Sequence, residues 1–332
     1  MLDLNAPRKD GAVDQRLRKL IEKDPEQLEP ELKSHLGKLR RDEVEHPVVF
    51  IGTGTCGLGA GAGATLEAIK AYLAEQKLAA EVVEVGCIGL CSAEPVVEVQ
   101  LPGRTRLMYE HVTDDQVPAL LGALLGGSLP RRNLVCQHRH QALEAWEGVP
   151  YLDEHAFFAP QTRWVLANCG LIDPGSIDEY ISRGGYRALV KALCEGSPEA
   201  LREEVIDSGL RGRGGGGFPA GVKWRFAAET ESEQRYLICN ADEGDPGAFM
   251  DRAVIEGDPH RLIEGMALAG YAIGATKSYV YIRAEYPLAI ARLREALSQA
   301  RDLGLLGEDL LGSGFSFEIR IKEGAGAFVC GE

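Results

Sequence analysis

Two groups of residues have types and spacing that could do chemistry. One is the stretch Arg211-Gly-Arg-Gly-Gly-Gly-Gly-Phe-Pro-Ala-Gly-Val-Lys-Trp224. Four consecutive glycines, Gly214 to Gly217, make a poor helix and a poor strand, because the run loses backbone entropy and packs nothing. It offers bare N–H groups that a ligand can approach closely. Arg211, Arg213 and Lys223 add positive charge around them. Bare amides and cations that lead into a helix suit a phosphate. No Gly-Lys-Ser/Thr follows at Walker A spacing, and no clear strand–loop–helix unit frames the stretch as a dinucleotide fingerprint. A flexible surface loop is the alternative reading. The second group is Cys56, Cys87 and Cys91, each in a glycine-rich setting with Gly52, Gly54, Gly57, Gly86 and Gly89. Soft thiolates on glycine loops suit an iron–sulfur cluster, because the backbone can approach the sulfides and donate hydrogen bonds. Three buried, redox-inert cysteines are the alternative there.

The elements that must position these residues follow from the pattern. His46–Ile51 reads as a strand, Ala64–Gln76 as a helix and Glu81–Val85 as a second strand. Val96–Leu101 and Thr105–Tyr109 read as a hairpin about Gly103, and Val117–Leu125 as a closing helix. In a β-α-β unit with parallel strands, both strand ends lie on one edge, so the three sulfurs are expected to converge. Residues 12–43 read as charged helices with short apolar faces, suited to docking. Residues 128–165 read as a linker. Within it Cys136, His138 and His140 have no second ligand group at zinc spacing, and a solvated stretch is expected.

The second half is denser. Gly175–Ile181 opens a helix with Ser176 as N-cap and Glu179 three residues on. Tyr186–Leu193 and Pro198–Ser208 continue as helices towards the glycine loop. Arg235–Cys239 reads as a buried strand that ends in the acidic loop Asn240-Ala-Asp242-Glu243-Gly-Asp245. An acidic loop at a strand end near a basic loop is a binding-site layout, because carboxylates accept ribose hydroxyls or ring N–H groups. A solvated turn is the other reading. Asp258–Gly274 and Pro287–Asp302 read as helices, and Lys277–Ala284 and Phe315–Ile321 as strands. A second glycine-rich turn, Gly324-Ala-Gly326-Ala-Phe-Val-Cys330-Gly-Glu332, follows the last strand.

Composition limits the function. The 332 residues suggest two or three domains, and 45% hydrophobic content supports real cores. A formal charge of −14 argues against nucleic acid as a partner of the whole chain. No apolar run reaches bilayer length, and the N-terminus lacks the apolar core of a signal peptide, so a cytoplasmic protein without direct membrane insertion is expected. Eight cysteines are too sparse for a disulfide scaffold.

Cys56 with Cys87-x3-Cys91, in that β-α-β-β-α order, resembles the thioredoxin-like 2Fe-2S domain of NADH dehydrogenases and of NAD-linked hydrogenases and formate dehydrogenases. That domain uses a C-x4-C pair and a C-x3-C pair. Cys56 would be the second member of the first pair, and Ile51 stands where the other cysteine is expected. Thr53, Thr55 and Ser92 are the nearby oxygen candidates for the fourth ligand. The stretches 211–224, 239–249 and 323–332, in that order, resemble the flavin-carrying subunit of the complex I NADH-dehydrogenase module and its hydrogenase and formate-dehydrogenase relatives. The similarity covers roughly residues 46–127 and 160–332.

The resemblance implies an α/β chain. A helical segment (1–45) precedes a thioredoxin-like domain (46–127), a linker (128–165) and a Rossmann-like FMN- and NADH-binding domain (166–332) that is incomplete at its C-terminus. It implies FMN on Gly212, Arg213, Gly214 and Lys223, with Asn240, Asp242 and Glu243 against ribityl and ring atoms. Phe328, Gly331 and Glu332 would border the flavin. Phe218, Phe226, Asp245 and Glu332 would meet NAD(H), and Cys56, Cys87 and Cys91 would hold the 2Fe-2S cluster. Phe328 stands where complex I members have a tyrosine, so any hydroxyl role there is lost. Partner subunits would carry further iron–sulfur clusters. In the family, another FMN-contacting loop and a helical domain with four cysteines for a 4Fe-4S cluster follow the position of Glu332, so weak FMN retention is expected of this chain alone. A scaffold that keeps the fold without a complete redox site is the alternative function.

Overall fold

The computed structural model describes residues 28–245 and 247–326. Of the docking helices expected over 12–43, the described part is α1, Pro30–Arg40. The chain divides into two compact units. Of the described residues, one unit comprises 34–174 with 256–258, and the other 28–33, 175–245, 247–255 and 259–326.

The first unit is built on β1, Val48–Gly52, whose five residues are all buried. An unbroken Val-Val-Phe-Ile run fits a strand covered on both faces. Helices α2, Thr55–Ala60, and α3, Ala62–Glu75, lead from it to β2, Glu81–Val85. Strands β3, Val97–Gln100, and β4, Leu107–Tyr109, follow, and then helix α4, Val117–Leu125. β1 pairs with β2 in parallel and with β3 antiparallel, and β3 pairs antiparallel with β4. The expected element order is present. Ile51, Leu66, Ile69, Leu73, Val97, Leu107 and Leu121 share the main apolar cluster.

The stretch 128–165, expected as a linker, supplies a fifth strand. β5, Leu134–Gln137, pairs antiparallel with β4, which gives the sheet order β2-β1-β3-β4-β5. Cys136 is fully buried with its thiol against the Met108 sulfur. Gln137, also buried, bonds Thr105 and the Trp146 and Val149 carbonyls. His138 pairs with the buried Glu98 at 2.9 Å. The short run Leu134-Val-Cys-Gln137 is made a strand by its pairing with β4, and Gln137 and the following His138 find partners inside the fold.

The second unit begins with α5, Ile177–Ser182, where Ser176 accepts the Glu179 N–H at 3.2 Å. Helices α6, Arg187–Glu195, and α7, Pro198–Asp207, lead to α8, Ala220–Glu229. Three parallel strands follow in the order β6-β7-β8: Tyr236–Ala241, Lys277–Ile282 and Glu318–Glu323. Between β6 and β7 run α9, Met250–Gly257, and α10, Pro259–Ile273, and between β7 and β8 runs α11, Pro287–Asp302. The break at Asp258 comes before a proline, which disfavours helical backbone in the residue ahead of it. The strand expected to be buried at 235–239 lies at the sheet edge. Tyr236 is 52% and Ile238 59% exposed, because alternate side chains share one face of a sheet and the face of Tyr236, Ile238 and Asn240 is left open. Among those residues no helix is long and apolar enough to cross a membrane.

Candidate functional site

The cysteine site is set by backbone approach. A Cβ on Gly57 would lie 2.1 Å from the Gly52 carbonyl oxygen, and one on Gly54 would lie 3.2 Å from the Cys87 nitrogen. Only glycine lets the turn after β1 fold this closely onto the loop after β2. The sulfurs of Cys56, Cys87 and Cys91 then lie within 4.8 Å of one another. Cys87 and Cys91 are 3.7 Å apart, and the Gly89 N–H donates to the Cys87 sulfur at 3.3 Å. The Arg163 guanidinium donates to the Ile88 carbonyl at 2.9 Å and holds the loop between the two cysteines. Burial pushes the Cys87 thiol well above its ordinary value. Three converging soft donors, one already receiving an amide N–H, fit an iron–sulfur centre.

Ile51 is fully buried in the apolar cluster and carries no donor atom. Of the oxygen candidates, Thr55 is engaged elsewhere: its N–H and hydroxyl donate to the Glu256 carboxylate at 2.8 and 2.5 Å. Ser92 is exposed, and Thr53 is 2% exposed. The residue missed from sequence is Glu94, which is only 6% exposed. Its carboxylate accepts the Val96 N–H at 2.8 Å and lies close enough to the Cys87 thiol to interact with it electrostatically. Burial pushes this carboxyl up to about 6. The available signal was an acid placed directly before a proline, three residues after Cys91.

The second unit presents the glycine loop. The Gly212 N–H donates to the Phe218 carbonyl at 2.8 Å, and the Ala220 N–H to that of Leu210 at 2.8 Å. Arg211 donates to the Gly217 carbonyl at 3.0 Å, so this cation closes the loop. A Cβ on any of Gly214 to Gly217 would meet nothing within 4 Å, and Gly215 adopts φ +94°. The backbone is bare and open, as a phosphate cradle needs. Gly212, Arg213 and Gly214 are exposed on the loop, and Lys223 is exposed in the first turn of α8. Gly221 lets α8 seat on α7, since a Cβ there would lie 2.6 Å from Ile206 atoms.

The acidic loop leaves the carboxyl end of β6. The Asp242 N–H donates to Asn240 Oδ1 at 3.1 Å. The Glu243 carboxylate accepts the Asp251 and Arg252 N–H groups at 3.1 and 3.2 Å, which caps α9. The Glu243 carbonyl accepts Arg283 at 3.0 Å and the Tyr286 hydroxyl at 3.1 Å from the loop after β7. The Gly324 N–H donates to the Ile282 carbonyl at 2.8 Å. The carboxyl ends of all three parallel strands thus share one edge, where α/β sheets bind ligands. Phe218 is 51% and Phe226 57% exposed, and Asp245 is exposed. Phe328, Gly331 and Glu332 lie outside the described residues.

Residues 205–332 match the family model described as the Nuo51 FMN-binding domain. Among curated relatives, the NADP-reducing hydrogenase subunit HndC of Solidesulfovibrio fructosivorans is 60% identical over 172 residues, 52% of this chain and 35% of the relative. The F 2 subunit of the NADH-quinone oxidoreductase of Rhizobium meliloti is 52% identical over 168 residues, 51% of this chain and 40% of the relative. The alpha subunit of the NAD-reducing hydrogenase HoxS of Cupriavidus necator is 36% identical over 247 residues, 74% of this chain and 37% of the relative. The matched part thus spans 35% to 40% of these relatives' lengths.

Proposed function

We propose that this chain, whose residues 205–332 carry a Nuo51-type FMN-binding domain, exchanges hydride between NAD(H) and FMN and sends single electrons on to iron–sulfur clusters in a multi-subunit oxidoreductase. The observation that carries the reading is the bare glycine loop opening α8 within the matched segment. The α8 N-terminus and the loop amides supply positive potential for the FMN phosphate, with Arg213 and Lys223 beside them. Gly212 and Gly214 let the ligand approach the backbone. Asn240 and Asp242 face ribityl and ring atoms, and Glu243, by capping α9, holds that acidic loop in place. Phe218 and Phe226 supply aromatic faces for the adenine of NADH, and Asp245 an acceptor for its ribose. Phe328, Gly331 and Glu332 complete the flavin border, Glu332 also on the NADH side.

FMN supplies the two-electron to one-electron step when bound. The chain's task is to stack two rings and exclude water, so no side-chain acid or base is required for hydride transfer. In the other unit Cys56, Cys87 and Cys91 hold a 2Fe-2S cluster in a thioredoxin-like fold, widened by β5 beyond residues 46–127. Partner subunits carry the onward clusters.

The test is an anaerobic visible spectrum of the protein titrated with FMN to excess, recorded before and after NADH. Bleaching of bound-flavin bands is expected. FMN that stays free, or bound flavin that NADH leaves oxidised, would overturn the hydride reading and leave a scaffold.

A further inference from the structure

We propose that the Glu94 carboxylate is the fourth ligand of the Cys56, Cys87 and Cys91 site, so that its iron–sulfur cluster is held by three thiolates and one carboxylate oxygen. The inference rests on the reading of the three thiols as a cluster site. A buried carboxylate is costly unless it is paired with a cation or bound to a metal. Among the described residues no cation pairs with Glu94; the neighbouring Arg106 and His138 both go to Glu98. Its hydrogen-bond partner is the Val96 amide, and it lies beside the Cys87 thiol, one of the three sulfur donors.

The placement is specific. The carboxylate sits where a Cβ on Gly52 would meet its oxygens at 3.0 and 3.1 Å, and one on Gly57 would meet an oxygen at 3.2 Å. Gly52 follows Ile51, the position without a donor, and Gly57 follows Cys56. The absent side chains leave the carboxylate its room beside the thiols. Of the other oxygen candidates, Thr55 is tied to Glu256 and Ser92 is exposed. On assembly from two ferric ions and two sulfide ions the three thiols release their protons to solvent and the carboxylate donates an oxygen lone pair, with no change in electron count.

The experiment is anaerobic reconstitution of the purified chain with ferric iron and sulfide, and dithionite then reduces the product by one electron per cluster. Iron and acid-labile sulfide per chain are measured after desalting, with electron paramagnetic resonance of the dithionite-reduced protein. Wild type is expected to retain both elements. Glu94→Gln keeps an acceptor for the Val96 amide and should fold, but it should retain at least tenfold less iron. Glu94→Cys should retain iron and sulfide with shifted g values, because a fourth thiolate replaces oxygen. Wild-type content and spectrum in Glu94→Gln would overturn the proposal, as would unchanged g values in Glu94→Cys. A wild type that takes up no iron and sulfide would instead overturn the cluster reading, and the Glu94 assignment with it.

Discussion

Single side chains set how this protein answers to pH. His260 is 1% exposed; its Nδ1 accepts the Tyr186 hydroxyl at 2.9 Å and its Nε2 donates to Gln299 at 3.1 Å. Both bonds suit a neutral ring. Burial lowers its pKa from 6.5 to about 4. The unfolded chain therefore takes up a proton on this ring at a higher pH than the folded chain does. The neutral ring's stabilisation is fully present above pH 6.5 and is lost as pH falls towards 4, about 3 kcal/mol in all. Urea midpoints of wild type and His260→Gln between pH 7 and 4.5 check this. The wild type should lose more stability over that window, and parallel losses would refute the assignment.

At the scale of elements, the glycine loop and its helix separate binding from stability. Arg213→Ala and Lys223→Ala remove exposed cations beside the bare amides. Each is expected to weaken FMN binding about tenfold, or ~1.4 kcal/mol, and to change stability by less than about 0.5 kcal/mol. Flavin fluorescence titration and thermal melts read the two effects separately. Gly221→Ala acts the other way. Its Cβ would sit 2.6 Å from Ile206, so about 1–3 kcal/mol of stability should be lost, seen as a lower urea midpoint. Glu243→Ala removes both acceptors at the start of α9 and should cost about 1–2 kcal/mol, with equal stability in the variant as the disproof.

Over the whole molecule, two units each carry their own sheet and core. FMN binding on 205–332 should stabilise that unit by mass action, by about 2.7 kcal/mol at a hundredfold excess over the dissociation constant. Calorimetry with and without FMN is expected to show a transition that moves with ligand. A chain whose melting ignores saturating FMN would contradict the proposed site. The acidic chain and its basic loop also make FMN affinity fall with added salt, because the exposed cations are screened.

The sequence by itself determined the local elements and the chemistry of the loops. The apolar runs at 48–52 and 81–85 made strands, and Ser176 made a cap. Four glycines could only be a loop, and its openness followed from having no side chains. The convergence of Cys56, Cys87 and Cys91 was legible too, because parallel strands place their ends on one edge. Tertiary structure alone decided the rest. β5 is four residues long inside a stretch of mixed polarity, and only its pairing with β4 and the partners of Gln137 and His138 make it a strand. β6 reads as buried because its residues are apolar, but burial depends on what covers each face of the sheet, and the face of Tyr236 and Ile238 is left open. Glu243 reads as a ligand for a bound molecule, but its carboxylate is taken by helix N–H groups eight and nine residues on. Glu94 has no ligand spacing in the sequence, and only the fold buries it beside the Cys87 thiol. Spacing along a chain fixes what neighbours in sequence can do; contacts between distant residues fix which polar groups find partners.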